Sequence, residues 1–195
     1  MSSTNGISNS KFIHLRANIS DLPSISEMMY SSFHKIPAVQ QLIMGGNAQL
    51  FAGMLEEGMK NDPTDIWMKV VEVDASSSGD LAGDRLVGAA QWKLYLTPGS
   101  GKEMLVLQWL DGETRKAAEK VIRGMNRNRI ETNAEPYLYV LSDLHICFVD
   151  NEYQGRGLGS MMVKWGCELA DLLQVSSYVE GSVDGRRLYE KHGGG

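Results

Sequence analysis

The alternation of apolar and polar positions divides the first third of the chain into a strand and two helices. Residues Phe12–Ala17 alternate as a strand does, and Ser20–Pro23 supplies a capping serine and a proline in the first turn of a helix. Apolar positions follow at helical spacing until Pro37 ends the run. A second helical stretch covers residues 42–55, and Gly45–Gly46 predicts a break in it.

The middle of the chain predicts a hairpin and an insertion. Ile66–Val73 and Arg85–Leu96 are rich in strand-forming residues, and the Ser, Gly and Asp residues of Asp74–Asp84 join them as an antiparallel pair. Residues 97–136, called the insertion below, then connect this hairpin to the last third of the chain and contain an amphipathic, charged helix from about residue 113 to about residue 129.

The last third predicts a strand over Tyr137–Val149, a helix over Gly157–Leu173 and a short strand at residues 177–180. Large apolar residues on the helix predict its buried stripe: Leu158, Met161, Met162, Trp165, Leu169, Leu172 and Leu173. We therefore expect an α/β fold with a mixed β-sheet flanked by helices, as one domain over residues 11–195 after a disordered arm at residues 1–10.

The junction between this last strand and helix carries the clearest chemical signal. Gln154, Gly157 and Gly159 form a Gln-x-x-Gly-x-Gly turn directly before the helix. Unpaired N–H groups and the positive end of the helix dipole meet at such a point, so the turn predicts a phosphate or pyrophosphate site. A Rossmann turn has a different glycine spacing, and a Walker loop requires a Gly-Lys-Ser/Thr sequence that is absent here.

The turn resembles the acetyl-CoA loop of the GNAT superfamily of N-acetyltransferases, Val-x-Pro-x-x-Gln-x-x-Gly-x-Gly, with Asn151 in place of the proline. A second segment, Tyr178–Gly193, is similar to the part of that family in which a short strand leads to a helix containing Leu-Tyr-Glu-Lys. The resemblance implies a GNAT-like fold that uses acetyl-CoA.

The same resemblance implies which residues hold the cofactor. A backbone N–H near the end of the central strand would hold the thioester carbonyl, backbone groups of the turn would hold the pyrophosphate, and Arg156, with Lys164 second, would add charge. The implied cofactor-binding residues are Phe148, Val149, Gln154, Gly155, Arg156, Gly157, Leu158, Gly159 and Ser160.

Three residues are candidates for the proton transfers. The resemblance assigns Tyr189 as the acid that protonates the departing thiolate. Asp143 and His145 are alternative bases, which share a strand face unless a bulge intervenes; a water chain or no protein base is also open. An acyl-enzyme on Cys147 is a further alternative.

Composition limits the class of protein. The net charge of −5 argues against a nucleic-acid surface, and no apolar stretch reaches the length of a membrane span. Two cysteines and a polar N-terminal segment without a signal-peptide pattern predict a cytoplasmic protein. The four histidines are scattered, so no metal site is expected.

The main departure from the family is at the C-terminus, where two further strands would follow Gly193. The strand at residues 177–180 then has an open edge, which a homodimer would complete.

The sequence leaves three functions open: an acetyl-CoA-dependent N-acetyltransferase acting on a small-molecule or peptide amine by direct transfer, a catalytically silent acyl-CoA-binding module, or a scaffold recruited for other metabolic chemistry. The insertion is either a cap over the acceptor site or a surface excursion.

Overall fold

The computed structural model describes most of the chain. The described residues are 10–33, 40–41, 44–74, 84–95, 107, 109–125, 127, 141–179, 181 and 185–193. The N-terminal arm predicted for residues 1–10 lies outside this part except for Ser10.

Five strands and five helices are formed by the described residues. The strands are β1 (Ser10–Arg16), β2 (Asp65–Asp74), β3 (Arg85–Tyr95), β4 (Leu141–Val149) and β5 (Ser176–Val179). The helices are α1 (Leu22–Ser32), α2 (Ala48–Asn61), α3 (Gly112–Met125), α4 (Leu158–Leu173) and α5 (Arg186–Glu190). Each element predicted from the apolar pattern has a counterpart among the described residues, but α2 begins at residue 48 and not 42, and it ends at residue 61 and not 55. Residues 34–37, 42–43, 96, 126, 128–129, 137–140 and 180 of the predicted elements lie outside the described residues.

The strands form one mixed sheet in the order β1-β2-β3-β4-β5. The pairs from β1 to β4 are antiparallel, and β5 runs parallel to β4. The predicted hairpin is confirmed as β2 and β3. Pairing between β4 and β5 covers only Leu141–Leu144 and Ser176–Val179, so the second half of β4 has no neighbour on its β5 side among the described residues.

Each face of the sheet is covered by helices. On one face α1 and α2 pack against Trp67, Ala89 and Phe148. On the other face α4 packs against Met68, Val70, Ala90 and Trp92, among others. The mixed α/β architecture expected from the sequence is confirmed.

A bulge interrupts β4. Gln91 pairs with Ile146 and the next residue, Trp92, pairs with Leu144, so the register passes over His145. Leu144 accordingly packs on the α4 face, whereas Ile146 packs on the α1 face. The condition for Asp143 and His145 to share a face, a strand without a bulge, is not met.

The buried stripe of α4 differs from the predicted one. Its centre is formed by Val163, Gly166 and Ala170, which are buried. The predicted stripe wrongly included Leu172 and Leu173, which are 80% and 42% exposed. At about 100° per residue, Leu172 lies about 120° from Gly166 around the helix. A large apolar residue was taken as core, but small residues are what allow α4 to approach the sheet.

Gly166 provides the test of this packing. A Cβ at position 166 would lie 2.0 Å from the ring of Trp92, which is itself buried. We expect Gly166→Ala to lower the free energy of unfolding by about 2 kcal/mol, because the helix must move away from the sheet. Gly53→Ala is the matched control: it lies on α2 with nothing within 4 Å of the added Cβ, and we expect a gain of about 0.5 kcal/mol. Urea unfolding measures both, and equal stabilities would contradict the packing.

Candidate functional site

The turn between β4 and α4 is shaped by two glycines with left-handed backbones. Gly155 has φ +76° and Gly157 has φ +85°, a region that residues with a Cβ rarely adopt. A short 3-10 turn, Asn151–Tyr153, precedes them, and the Asp150 carboxylate accepts a hydrogen bond from the Glu152 N–H at 3.0 Å. The chain thus reverses tightly from the end of β4 into the start of α4.

The N-terminus of α4 has unused hydrogen-bond donors. Its first helical bond runs from Met161 N to Gly157 O at 3.0 Å, and within the described chain no group accepts from the N–H groups of residues 157 to 160. No side chain caps the helix, and its first turn has no acidic residue. By contrast, Asn47 caps α2 by accepting from two N–H groups, at 2.8 and 3.2 Å. The start of α4 therefore suits an anion.

Two groups at the start of the turn form hydrogen bonds within it. The N–H of Tyr153 is used internally, by Asp150 O at 2.8 Å. The Gln154 side chain is used as well, because Nε2 donates to Asn151 Oδ1 at 3.0 Å. Gln154 thus stabilises the turn through its side chain.

The three glycines of the turn have different roles. Among the described residues, no atom lies within 4 Å of a Cβ added at Gly155 or Gly157, so these positions leave open space beside the backbone. A Cβ at Gly159 would lie 3.1 Å from Leu188 Cδ2. Gly159 therefore allows α5 to pack against the first turn of α4, which the sequence pattern had not indicated.

Two arginine side chains beside the turn pack over the ring of Tyr153. The guanidinium groups of Arg85 and Arg156 lie 4.9 and 4.6 Å from the centre of the Tyr153 ring. The Tyr153 hydroxyl donates to the Glu72 carboxylate, and Arg156 donates to Glu152 O at 3.1 Å. The predicted Arg156 is thus next to the turn.

Arg85 is a member of the site that sequence reasoning missed. Its Nη2 lies 3.3 Å from Asp150 Oδ2 and 3.0 Å from Glu152 Oε2, so it partly neutralises two carboxylates next to the turn. It precedes Asp150 by 65 positions, and only the pairing of β3 with β4 brings the two together. No local sequence signal indicates it.

The unpaired half of β4 directs N–H groups into the gap beside β5. Asp150 N donates to Val87 O of β3 at 2.9 Å. Because successive residues of a strand direct their N–H groups to opposite sides, those of Val149 and Cys147 are directed away from β3, and that of Phe148 towards it. Of the two residues expected to hold a thioester carbonyl, this alternation favours Val149. The Phe148 side chain is part of the core.

Tyr189 lies at a narrow cleft on the α4 face. A Cβ at Gly181 would lie 2.5 Å from Tyr189 Cε2, so the ring packs directly on that glycine. Burial, with a smaller effect of nearby Cys147, raises the pKa of Tyr189 to about 12. The cleft has a volume of about 100 Å³ and is lined by Trp92, Leu144, Val163, Cys167, Ser177, Tyr178, Val179, Tyr189, His192 and Gly193.

Of the other predicted catalytic groups, the structure describes the side chain of Cys147 but not those of Asp143 and His145. Burial raises the pKa of Cys147 to about 12, so its reactive thiolate is scarcely populated at neutral pH. This disfavours the acyl-enzyme alternative. Asp143 and His145 belong to β4, but their side chains lie outside the described part of the structure.

A larger cavity, of about 340 Å³, lies on the opposite face of the sheet. It is lined by Ser24, Glu27, Met28, Ser31, Ser32, Arg85, Leu86, Asp150 and Asn151. It includes no residue of α4, and Tyr189 is not in its lining. It reaches the start of the turn through Arg85, Asp150 and Asn151, but it is separate from the cleft that contains Tyr189.

Two other kinds of feature, a metal site and a membrane-spanning helix, are not found among the described residues. These residues contain no group of three or more His, Cys, Asp or Glu side chains arranged to hold a metal ion. None of the helices they form has the length and apolar character needed to cross a membrane.

Comparison with known proteins identifies the fold. A scan against models of protein families gave no match, and neither did a search of curated protein sequences. Among solved structures, a GCN5-related N-acetyltransferase from Ralstonia eutropha aligns over 95% of this chain and 93% of its own, with a TM-score of 0.57 and 10% identity.

Two further structures agree. Glucosamine-6-phosphate N-acetyltransferase from Arabidopsis thaliana aligns over 95% of this chain and 92% of its own, with a TM-score of 0.52 and 13% identity. A predicted acetyltransferase from Clostridium acetobutylicum, solved with acetyl-CoA, covers 94% and 89%, with a TM-score of 0.51 and 11% identity. At such identities the likeness establishes the fold, and the expected GNAT fold is confirmed.

Proposed function

We propose that this GNAT-fold chain binds acetyl-CoA and transfers its acetyl group to an amine. The observation that carries the proposal is the uncapped N-terminus of α4, where the N–H groups from Gly157 to Ser160 have no acceptor among the described residues. Free N–H groups at a helix N-terminus, together with the positive end of the helix dipole, favour an anion, so a ligand with strong acceptor oxygens is expected there.

The residues around this point fit a diphosphate. Gly155 and Gly157 leave space beside the backbone, and Arg156 is exposed within the turn. Lys164 lies farther along α4 and pairs with Glu168 at 3.5 Å, so Arg156 is the better candidate for added charge. Bound here, acetyl-CoA would supply an activated acetyl group as a thioester.

The gap between β4 and β5 is the path we assign to the arm that carries the thioester. It begins after the last pair, Leu144 with Val179. The N–H groups of Cys147 and Val149 are directed into it and can donate to carbonyl oxygens. Val149 is our candidate for holding the thioester carbonyl, in the position where negative charge develops as the amine attacks.

Tyr189 is our candidate for the proton donor. Its raised pKa keeps the phenol protonated at neutral pH, which is the form that a donor requires, and makes it a weaker acid than a free tyrosine. As the amine nitrogen forms its bond to the acetyl carbon, the carbon–sulfur bond breaks and Tyr189 gives its proton to the sulfur. The amine loses a proton to Asp143, His145 or water.

The acceptor we expect is a small-molecule or peptide amine bound on the α1 side. The insertion helix α3 packs with Leu107 and Trp109. Trp109 also reaches Gly45, before α2, where an added Cβ would lie 3.3 Å from its ring. This contact supports the interpretation of the insertion as a cap, since it places Trp109 beside Gly45, just before α2.

Calorimetric titration with acetyl-CoA tests binding, and release of free thiol across a panel of amines tests transfer. We expect both. Absence of binding at the highest soluble cofactor concentration would exclude the proposed function. Binding without thiol release for any amine would favour the catalytically silent acyl-CoA-binding module instead.

Arg85 provides a test of the electrostatics. We expect Arg85→Gln to weaken acetyl-CoA binding about threefold at low salt, because it exposes the bound diphosphate to the charges of Asp150 and Glu152. The loss should fade at high salt, where surface charges are screened. Adding Glu152→Gln should restore affinity. Lys116→Gln, which removes a surface cation paired with Glu113 on α3, is the control. An effect of Arg85→Gln that is independent of salt would contradict the assignment.

A further inference from the structure

A hydroxyl–imidazole pair joins the two halves of the candidate site. Ser160 Oγ lies 2.5 Å from His192 Nε2, and the contact is partly buried. Ser160 is in the first turn of α4, where its own N–H is one of the free donors. His192 follows α5 and lines the cleft that contains Tyr189. The two residues are 32 positions apart.

The chemistry of this pair is limited by the number of protons. A serine hydroxyl has one proton to donate and lone pairs with which to accept. A neutral imidazole carries its proton on one nitrogen, so Nε2 either accepts from Ser160 or donates to it. If the Ser160 hydroxyl donates its hydrogen bond to a phosphate oxygen, then Nε2 of His192 must carry a proton. Otherwise a lone pair on Oγ and a lone pair on Nε2 would face each other at 2.5 Å.

We propose that Ser160 and His192 act as a hydrogen-bond relay for the phosphate: His192 Nε2–H donates to Ser160 Oγ, and Ser160 Oγ–H donates to a phosphate oxygen. This inference rests on the proposed function, because it deepens the same cofactor site. His192 is a positioning residue that does not itself contact the ligand. It orients the serine hydroxyl towards the oxygen that the neighbouring N–H groups also bind.

A relay differs from simple packing in how the losses of affinity caused by substituting its two members combine. If His192 acts through Ser160, removing the hydroxyl removes the whole contribution, and a further change at His192 costs nothing more. If His192 only fills space at the end of α5, its loss adds to that of Ser160. A glutamine at position 192 can place an N–H donor where Nε2 lies, whereas a phenylalanine keeps a ring without any donor.

The test is a double-mutant cycle read by calorimetric titration with coenzyme A. We expect Ser160→Ala to weaken binding about tenfold, as for a lost hydrogen bond to a charged group. We expect His192→Phe to weaken it about threefold and His192→Gln to stay near the wild-type affinity. In the Ser160→Ala background, His192→Phe should cause no further loss. Thermal unfolding of each variant checks that it is folded.

A second measurement needs no substitution. The measurement is the ¹⁵N chemical shift of His192 Nε2, recorded by NMR on labelled wild-type protein. In the complex with coenzyme A, this shift should be that of a protonated ring nitrogen. Additive losses in the cycle, or an unprotonated Nε2 in the complex, would overturn the relay while leaving the proposed function intact. Failure of the wild-type protein to bind coenzyme A would overturn both.

Discussion

Replacing Gly157 with valine is expected to weaken acetyl-CoA binding by at least about 100-fold, a change of about 2.7 kcal/mol. Two effects act in the same direction. Valine cannot adopt φ +85° without strain, so the turn must change shape. A side chain would also occupy the open space beside the free N–H groups, where we place the diphosphate. Calorimetric titration measures the loss.

The control for this variant separates strain from blocked access. Gly112 also has a positive φ, +50°, and nothing lies within 4 Å of a Cβ added there, but it is at the start of α3. We expect Gly112→Val to lower stability by about 1 kcal/mol, without weakening acetyl-CoA binding. A folded Gly157→Val protein that binds acetyl-CoA as the wild type does would place the cofactor elsewhere.

The second large effect is expected at Tyr189. Tyr189→Phe removes only the hydroxyl and keeps the ring that packs on Gly181. We expect turnover to fall about 100-fold, the usual scale for loss of a positioned acid, while the affinity for acetyl-CoA changes little. Initial rates of thiol release and calorimetric titration give the two quantities. Tyr178→Phe, in the lining of the same cleft, is the control and should keep its turnover.

The pKa of Tyr189 adds a prediction on pH. Burial raises this pKa above its ordinary value, to about 12, so the phenol keeps its proton over a wider range than a free tyrosine does. Turnover should therefore not fall from deprotonation of Tyr189 between about pH 7 and about pH 10. Unchanged turnover in Tyr189→Phe would remove Tyr189 as the acid. A fall in wild-type turnover near pH 9 that the variant lacks would instead contradict the raised pKa.

Much of the architecture was predictable because it depends on short-range order. Helices and strands were found from apolar spacing, and the β2–β3 hairpin from two strand-forming runs joined by a turn-rich segment. The error at Leu172 shows the limit of this reasoning. Periodicity finds the helix, but which side is buried depends on a partner such as Trp92 that the local sequence does not name.

The candidate site, too, was only partly predictable from the sequence. The free N–H groups of α4 were predictable because they arise from consecutive residues and from Gly157 just before the helix. Two contributions were not predictable. Arg85 reaches the turn from the next strand, and His192 reaches Ser160 from beyond α5.

The sequence by itself therefore determined a strand, a glycine turn and a helix whose first N–H groups have no partner within the helix, because backbone geometry over a few residues is set by local sterics and hydrogen bonding. Only the tertiary structure decided where β4 leaves β5, which N–H groups of β4 are directed into that gap, and where the bulge at His145 falls. Those features arise from the pairing and packing of distant segments, whose free energies depend on contacts that no local spacing encodes.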